Sequence, residues 1–98
     1  MIDRIYSLLG LARRAGKITS GESQVEAMLK KRKGHLLILA EDAQGTHKKY
    51  QQWAEDLRLP VMIIGTKLEL GVAIGLSPRS TVLVMDVGFA KAILKIRS

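Results

Sequence analysis

The fold class this sequence predicts is α/β: a three-layer α/β/α sandwich with helices on both faces of a small, mainly parallel mixed sheet. Three observations predict it. Leu36–Ala40, Val61–Ile64 and Thr81–Met85 are short apolar runs without polar alternation, the pattern of strands buried on both faces. Amphipathic helical stretches flank and separate these runs, and alternating strands and helices imply right-handed crossovers between parallel strands. The 98 residues suffice for one domain, 1–98, and not for two.

Ile2, Ile5, Leu8, Leu9 and Ala12 recur at helical spacing and predict a first helix. Asp3 near its start and Arg13-Arg14 near its end complement the helix dipole, and Gly16 supplies a left-handed stop. Lys17 to Thr19 reads as a connector or brief strand. Thr19-x-x-Glu22 has the capping-box pattern and opens a helix with Val25, Met28 and Leu29 on its core face, ended by Gly34. After the first buried strand, Gln44-Gly45-Thr46 reads as a turn. Tyr50, Trp53, Ala54 and Leu57 then mark a helix that Pro60 bars from continuing. Thr66-x-x-Glu69 is a second capping box, before a helix through Leu70, Ala73 and Ile74. Gly71 and Gly75, four apart without a following lysine, read as a packing contact and a helix stop rather than a phosphate loop. Leu76 to Ser80 is a loop before the last strand. Phe89, Ala90, Ile93 and Leu94 give the core face of a final helix, with Lys91, Lys95 and Arg97 toward water.

Sixteen Lys+Arg against nine Asp+Glu give a formal net charge of +7. In a small globular domain that balance makes nucleic acid the leading partner class. The absence of cysteine excludes disulfides, thiolate catalysis and Cys-based zinc sites, and fits a cytoplasmic setting. No signal peptide is recognised, and no apolar run approaches the roughly 20 residues that span a bilayer.

Catalytic and metal motifs are sparse. No nucleotide-binding glycine motif, no nucleophile elbow and no metal-ligand spacing is found. His35 and His47 read as surface histidines; a His47–Asp42 general-base pair is the competing reading, and no matching nucleophile motif accompanies it. Glu41, Asp42 and Asp86 fall at the ends of strands expected to be parallel, where ligands of open α/β sheets bind; element capping is the competing reading and the one adopted. Metal and cofactor are expected to be absent, and the protein is expected not to be an enzyme. With aromatics at 4%, a base-stacking platform is not expected.

The Lys30-Lys31-Arg32-Lys33 run is the strongest local charge, though cations at a helix C-terminus also offset the dipole. At 100° per residue, Ser23, Ala27, Lys30 and Lys31 lie away from the Val25–Met28–Leu29 stripe, with Gln24 beside Lys31. The first-turn N–H groups and Gly21 complete a surface that a phosphate or base edge can approach.

Taken together, Leu9-Gly10-Leu11-Ala12-Arg13-Arg14-Ala15-Gly16-Lys17, Ser20-Gly21-Glu22, Leu36 to Ala43, Lys48-Lys49, Leu70 to Gly75 and Asp86-x-Gly88-Phe89-Ala90-Lys91 resemble the family of ribosomal proteins L-seven-Ae and L-thirty-e, and within it the bacterial YlxQ-like branch. The resemblance implies a kink-turn or related internal-loop RNA binder, ribosome-associated and expected to be a monomer. It implies that Gly21 to Ala27, that is Gly21, Glu22, Ser23, Gln24 and Ala27, meets tandem G·A pairs, with Lys17 at the approach. It also implies that Leu76, Ser77, Pro78 and Arg79 pack on an extruded base, with Glu41 and Asp42 on the same rim. Where family members commonly carry Gly-x-Asn-Glu-x-x-Lys, this chain has Ser23 and Gln24 as polar groups and Ala27 in place of the lysine. Lys30 or Lys31, about one turn away, is the expected substitute. The other function weighed is a protein-interaction module docking on a ribosomal or stress-related partner.

Overall fold

A computed structural model describes residues 2–97. In chain order the elements are α1 (Ile2–Arg14), β1 (Ile18–Ser20), α2 (Glu22–Lys30), β2 (Leu36–Leu39), α3 (Gln44–Leu57), β3 (Val61–Ile63), α4 (Lys67–Ala73), β4 (Thr81–Val84) and α5 (Val87–Arg97). The strands form one mixed sheet in the order β1-β4-β2-β3.

The layers follow from the period-2 geometry of the central strands. Leu36 and Ile38 of β2, with Val82 and Val84 of β4, face a core completed by Ile5 and Leu9 of α1, Leu70 and Ile74 of α4, and Ala90 and Ile93 of α5. Leu37, Leu39 and Leu83 point to the other face, against Val25 and Leu29 of α2 and Tyr50 and Ala54 of α3. Both faces of the middle strands are covered, which is why their sequences show no polar alternation. The three-layer α/β/α arrangement is as expected.

Four local expectations need correction. The sheet is mixed but not mainly parallel. Only β2 and β3 pair in parallel (Ile38 opposite Met62), while β4 runs antiparallel to both β1 and β2. Only β2–α3–β3 joins parallel neighbours; the chain after α4 returns on the other side of β2. Thr19 is a strand residue, not a helix cap, and Gly21 takes the N-cap position. Gln44-Gly45-Thr46 is the first turn of α3 rather than a separate turn. Finally, α2 stops before Gly34: Lys31 is its C-cap and Arg32 takes the left-handed conformation, φ 58°.

Other stops behave as the sequence predicts. Gly16 and Gly75 follow α1 and α4 with φ of 73° and 72°. The capping box at Thr66 and Glu69 is fully formed, the Glu69 N–H donating to Thr66 Oγ1 at 3.1 Å and the Thr66 N–H to Glu69 Oε1 at 2.9 Å.

Candidate nucleic-acid interface

β1, β2 and β3 run one way and β4 runs against them. Their C-terminal ends, and the N-termini of α2, α3 and α4, therefore gather at one rim of the sheet. The C-termini of α2 and α3 reach the opposite rim.

At the first rim, Gly21 makes the turn from β1 into α2. Its N–H donates to the Thr81 carbonyl at 3.2 Å, and its carbonyl accepts the Val25 N–H at 2.9 Å. Its backbone angles, φ 88° and ψ 144°, belong to a region that glycine alone occupies cheaply. No side chain caps α2. The N–H groups of Glu22, Ser23 and Gln24 thus lack intrahelical acceptors and face outward at the positive end of the helix dipole.

Opposite them lies the 76–79 loop, held from three sides. Gly71 of α4 supports it from below, because a Cβ there would strike the Ser77 carbonyl. The Arg79 N–H donates to the Lys67 carbonyl at 2.9 Å. The Arg79 guanidinium donates from Nε to Ser20 Oγ at 3.2 Å, and from Nη1 to Ser77 Oγ at 2.6 Å and to the Ser77 and Pro78 carbonyls. Arg79 therefore clamps the loop to the end of β1. Between α2 and the loop is an open groove of about 460 Å³, lined by residues 20–24 and 78–80. Ser77 and Pro78 are exposed, while Leu76 is half-buried against the core.

Two acids on this rim, Asp42 and Glu22, have structural partners. Asp42 Oδ1 accepts the Lys67 N–H at 2.9 Å, and Glu22 Oε2 accepts the Ser80 hydroxyl at 3.4 Å across the groove. Glu41 sits beside Asp42, exposed, its N–H donating to the Gly65 carbonyl at 2.7 Å. Glu26 is turned away toward α3, accepting from Lys49 Nζ at 2.9 Å and from the Tyr50 hydroxyl at 3.0 Å. Those bonds, Lys49 first, hold its carboxyl below the ordinary carboxylate range. Burial and the Glu26 carboxylate push the Tyr50 phenol well above its usual range.

A pH dependence follows. The Glu26 pKa is lower folded than unfolded, so its contribution is complete above the unfolded value. It is lost as pH falls through the lowered folded value. In acid denaturation, Glu26→Gln is expected to show a shallower loss of stability below about pH 4.5 than the parent does. Equal slopes for the two proteins would remove Glu26 from the acid transition.

The rim geometry sorts the residues singled out from the sequence. Gly21, Glu22, Ser23, Gln24, Pro78 and Arg79 converge on one groove, with Glu41 and Asp42 along the same edge. Ala27, Lys30 and Lys31 continue down the exposed side of α2. Lys17 does not join them. It precedes β1 at the other rim, where its carbonyl accepts the Met85 N–H, roughly 13 Å of extended chain from Gly21. Asp86 is also at that other rim, because β4 is antiparallel. It caps α5 by accepting the Phe89 N–H at 2.9 Å. The acids at the ends of β2 and β4 therefore cannot share one catalytic site. His47 is anchored too, its Nε2 donating to the Ala40 carbonyl at 2.7 Å. Among the described residues no His/Cys/Asp/Glu group has a metal-binding arrangement, and no helix is long and apolar enough to cross a membrane.

Two contributors were not visible in the sequence. Ser20 anchors Arg79 from 59 residues away and Ser80 holds Glu22 from 58 away, separations that no local pattern encodes.

Comparison with known proteins places this arrangement. The profile of the ribosomal protein L7Ae/L30e/S12e/Gadd45 family matches residues 3–94. RNA-binding protein YlxQ of Bacillus subtilis is 35% identical over 92 residues, covering 93% of this chain and 92% of that protein. RNA-binding protein YlxQ of Enterococcus faecium is 34% identical, covering 91% and 86%. Among solved structures, a protein of unknown function from Bacillus halodurans C superposes with a TM-score of 0.89 at 35% identity, covering 94% of each chain. The Giardia lamblia 15.5kD RNA binding protein shares the fold, with a TM-score of 0.80 at 22% identity over 93% of this chain and 82% of that one. With a family profile matching nearly end to end and relatives a third identical over nine-tenths of their length, this chain belongs to the ribosomal protein L7Ae/L30e/S12e/Gadd45 family.

Proposed function

We propose that this protein is a non-enzymatic, cytoplasmic, monomeric RNA-binding protein, associated with the ribosome, that recognises kink-turn or related internal-loop RNA. The observation that carries the reading is the groove between uncapped backbone donors at the start of α2 and the clamped 76–79 loop. The names of the YlxQ relatives support its RNA half. Ser23 and Gln24 offer hydrogen bonds to base edges, and the exposed Ser77-Pro78 tip offers a surface to an extruded base. Lys30 and Lys31 supply phosphate contacts in place of a lysine at Ala27, while Arg79 mainly positions the loop.

Titration against a kink-turn duplex and the same duplex without its G·A pairs tests the reading. The kink-turn is expected to bind at least about tenfold tighter, a difference of about 1.4 kcal/mol. Equal affinities would overturn kink-turn recognition, and no binding at low salt would overturn RNA binding altogether. Lys30→Ala/Lys31→Ala is expected to weaken both and to reduce the slope of log K against log salt by roughly 1 to 2.

One observation favours a second reading, a protein-docking module. Leu68 and Val72, one turn apart on α4, are 62% and 69% exposed beside the loop. A stable protein partner co-purifying with the parent and lost with Leu68→Ser/Val72→Ser, together with weak RNA binding, would favour it.

A further inference from the structure

At the groove itself Arg79 is engaged in the loop, and Glu22, Glu41 and Asp42 lie along the same edge, with Lys67 and Lys48 as the exposed cations at the starts of α4 and α3. Yet the chain carries a net charge of +7, and affinity for RNA rests largely on phosphate contacts. Several of the remaining cations stand at the opposite rim.

There a second cleft, about 190 Å³, is lined by Arg32, Lys33 and His35 after α2 and by Arg58 after α3, floored by Leu57, Leu59 and Pro60. No acid lines it: Glu55 and Asp56 precede Arg58 but lie outside the cleft. All four cationic or imidazole side chains are exposed. None of these side chains makes a hydrogen bond or ion pair among the described residues.

The backbone adds an independent observation. Among the described residues, Arg32 and Arg58 are the non-glycine residues with positive φ, 58° and 56°. Both are arginines, both terminate helices, and both open onto this cleft. Offsetting a helix dipole requires only a cation somewhere in the last turn. It does not require one in the left-handed well, which L-residues occupy at a cost and which glycine or asparagine occupies cheaply. Strain retained twice at one cleft points to a role for the side chains held there.

We infer that this cleft is a second phosphodiester-binding site, at which Arg32 and Arg58, with Lys33, hold the backbone of an RNA already engaged at the start of α2. The inference rests on the RNA-binding reading above and extends it. α2 connects the two sites: its nine residues span about 13 Å, and its exposed side carries Ser23, Ala27, Lys30 and Lys31 from one to the other. A stem leaving the bend along α2 therefore arrives at Arg32 and Arg58.

The test uses the full chain and two kink-turn RNAs, one with stems long enough to pass the far end of α2 and one with stems cut back to the pairs flanking the bend. Arg32→Gly/Arg58→Gly relieves the backbone while removing both guanidinium groups. It is expected to melt within about 3 °C of the parent, and to lower the slope of log K against log salt by roughly 1.4 to 1.8 with the long-stem RNA. With the short-stem RNA no change is expected. Arg32→Lys/Arg58→Lys is expected to restore most of the slope. An unchanged slope with long stems would overturn the inference, as would an equal loss on both RNAs. So would an equal loss from Arg4→Gln/Lys91→Gln, which removes two exposed cations elsewhere. Failure of the parent to bind either RNA would instead overturn the first site, and this one with it.

Discussion

Gly71→Ala is expected to lower stability by about 1–3 kcal/mol and to weaken RNA binding by more than that loss explains. Gly71 is buried in α4 where the helix passes directly under the 76–79 loop, and the added methyl would meet backbone, the Ser77 carbonyl, rather than a side chain able to swing away. Relief requires moving either α4 off the core or the loop off its seat. The core side is closed, because Leu70 and Ile74 pack against the sheet and Gly10 of α1 approaches the Ala73 carbonyl so that a Cβ there would lie at 3.1 Å. The loop is the softer neighbour, and its displacement would draw Arg79 away from Ser20 and widen the groove. Gly45→Ala is the control. Gly45 is also helical but faces open space, and alanine there is expected to be neutral or stabilising by up to about 1 kcal/mol. Denaturant melts of both variants, with RNA titrations under conditions where each is fully folded, measure the two effects separately. Equal melts for the two variants would show that the loop does not rest on α4.

The second large effect is expected at Gly21. A side chain there would meet nothing within 4 Å, so any cost is conformational. With φ 88° and ψ 144°, an L-residue is strained by about 1–3 kcal/mol. Asparagine, which tolerates the left-handed helical well near ψ +47°, gains little at this ψ. Relaxation of Gly21→Ala would rotate the peptide that donates to Thr81 and begins α2, misdirecting the N–H groups of Glu22, Ser23 and Gln24. RNA affinity is therefore expected to fall by roughly tenfold or more, the value of about one to two directed hydrogen bonds. Gly16→Ala, at a helix end remote from the groove, is expected to destabilise comparably and to leave the affinity of the folded protein unchanged. If both variants bound RNA equally well, the start of α2 would not be the contact.

The contrast between these glycines reflects what the sequence could and could not carry. Burial periodicity reports which residues face a core, so the strands, the helices and the two-faced sheet were legible from Leu36–Ala40, Thr81–Met85 and the helical stripes. Periodicity is blind to chain direction. A strand buried on both faces reads the same in a parallel or an antiparallel neighbourhood, and β4 was therefore misread as parallel to β2. That single error placed Asp86 beside Asp42 when they stand at opposite rims. Thr19 had the spacing of a cap, but pairing opposite Leu83 in β4 claimed it for a strand. Gly34 had the chemistry of a helix stop, but the chain turned earlier, at Arg32. The α2 side of the candidate groove was legible from helix geometry, but its loop side only through the family resemblance, since the bond from Arg79 to Ser20 joins segments that no local pattern connects.

The position of β4 also sets the order in which the molecule can mature. Emerging from a ribosome, the chain presents α1, β1 and α2 first, then β2–α3–β3, whose parallel pair can already close. β1 then still has no partner, because its neighbour is the strand spanning Thr81–Val84. The Gly21 N–H has no acceptor until Thr81 arrives, and Ser20 has no clamp until Arg79 does. Domains fold during synthesis as their parts become available. Here the groove beside α2 can close only once the 76–79 loop and β4 have been made, so its assembly waits for the last third of the chain.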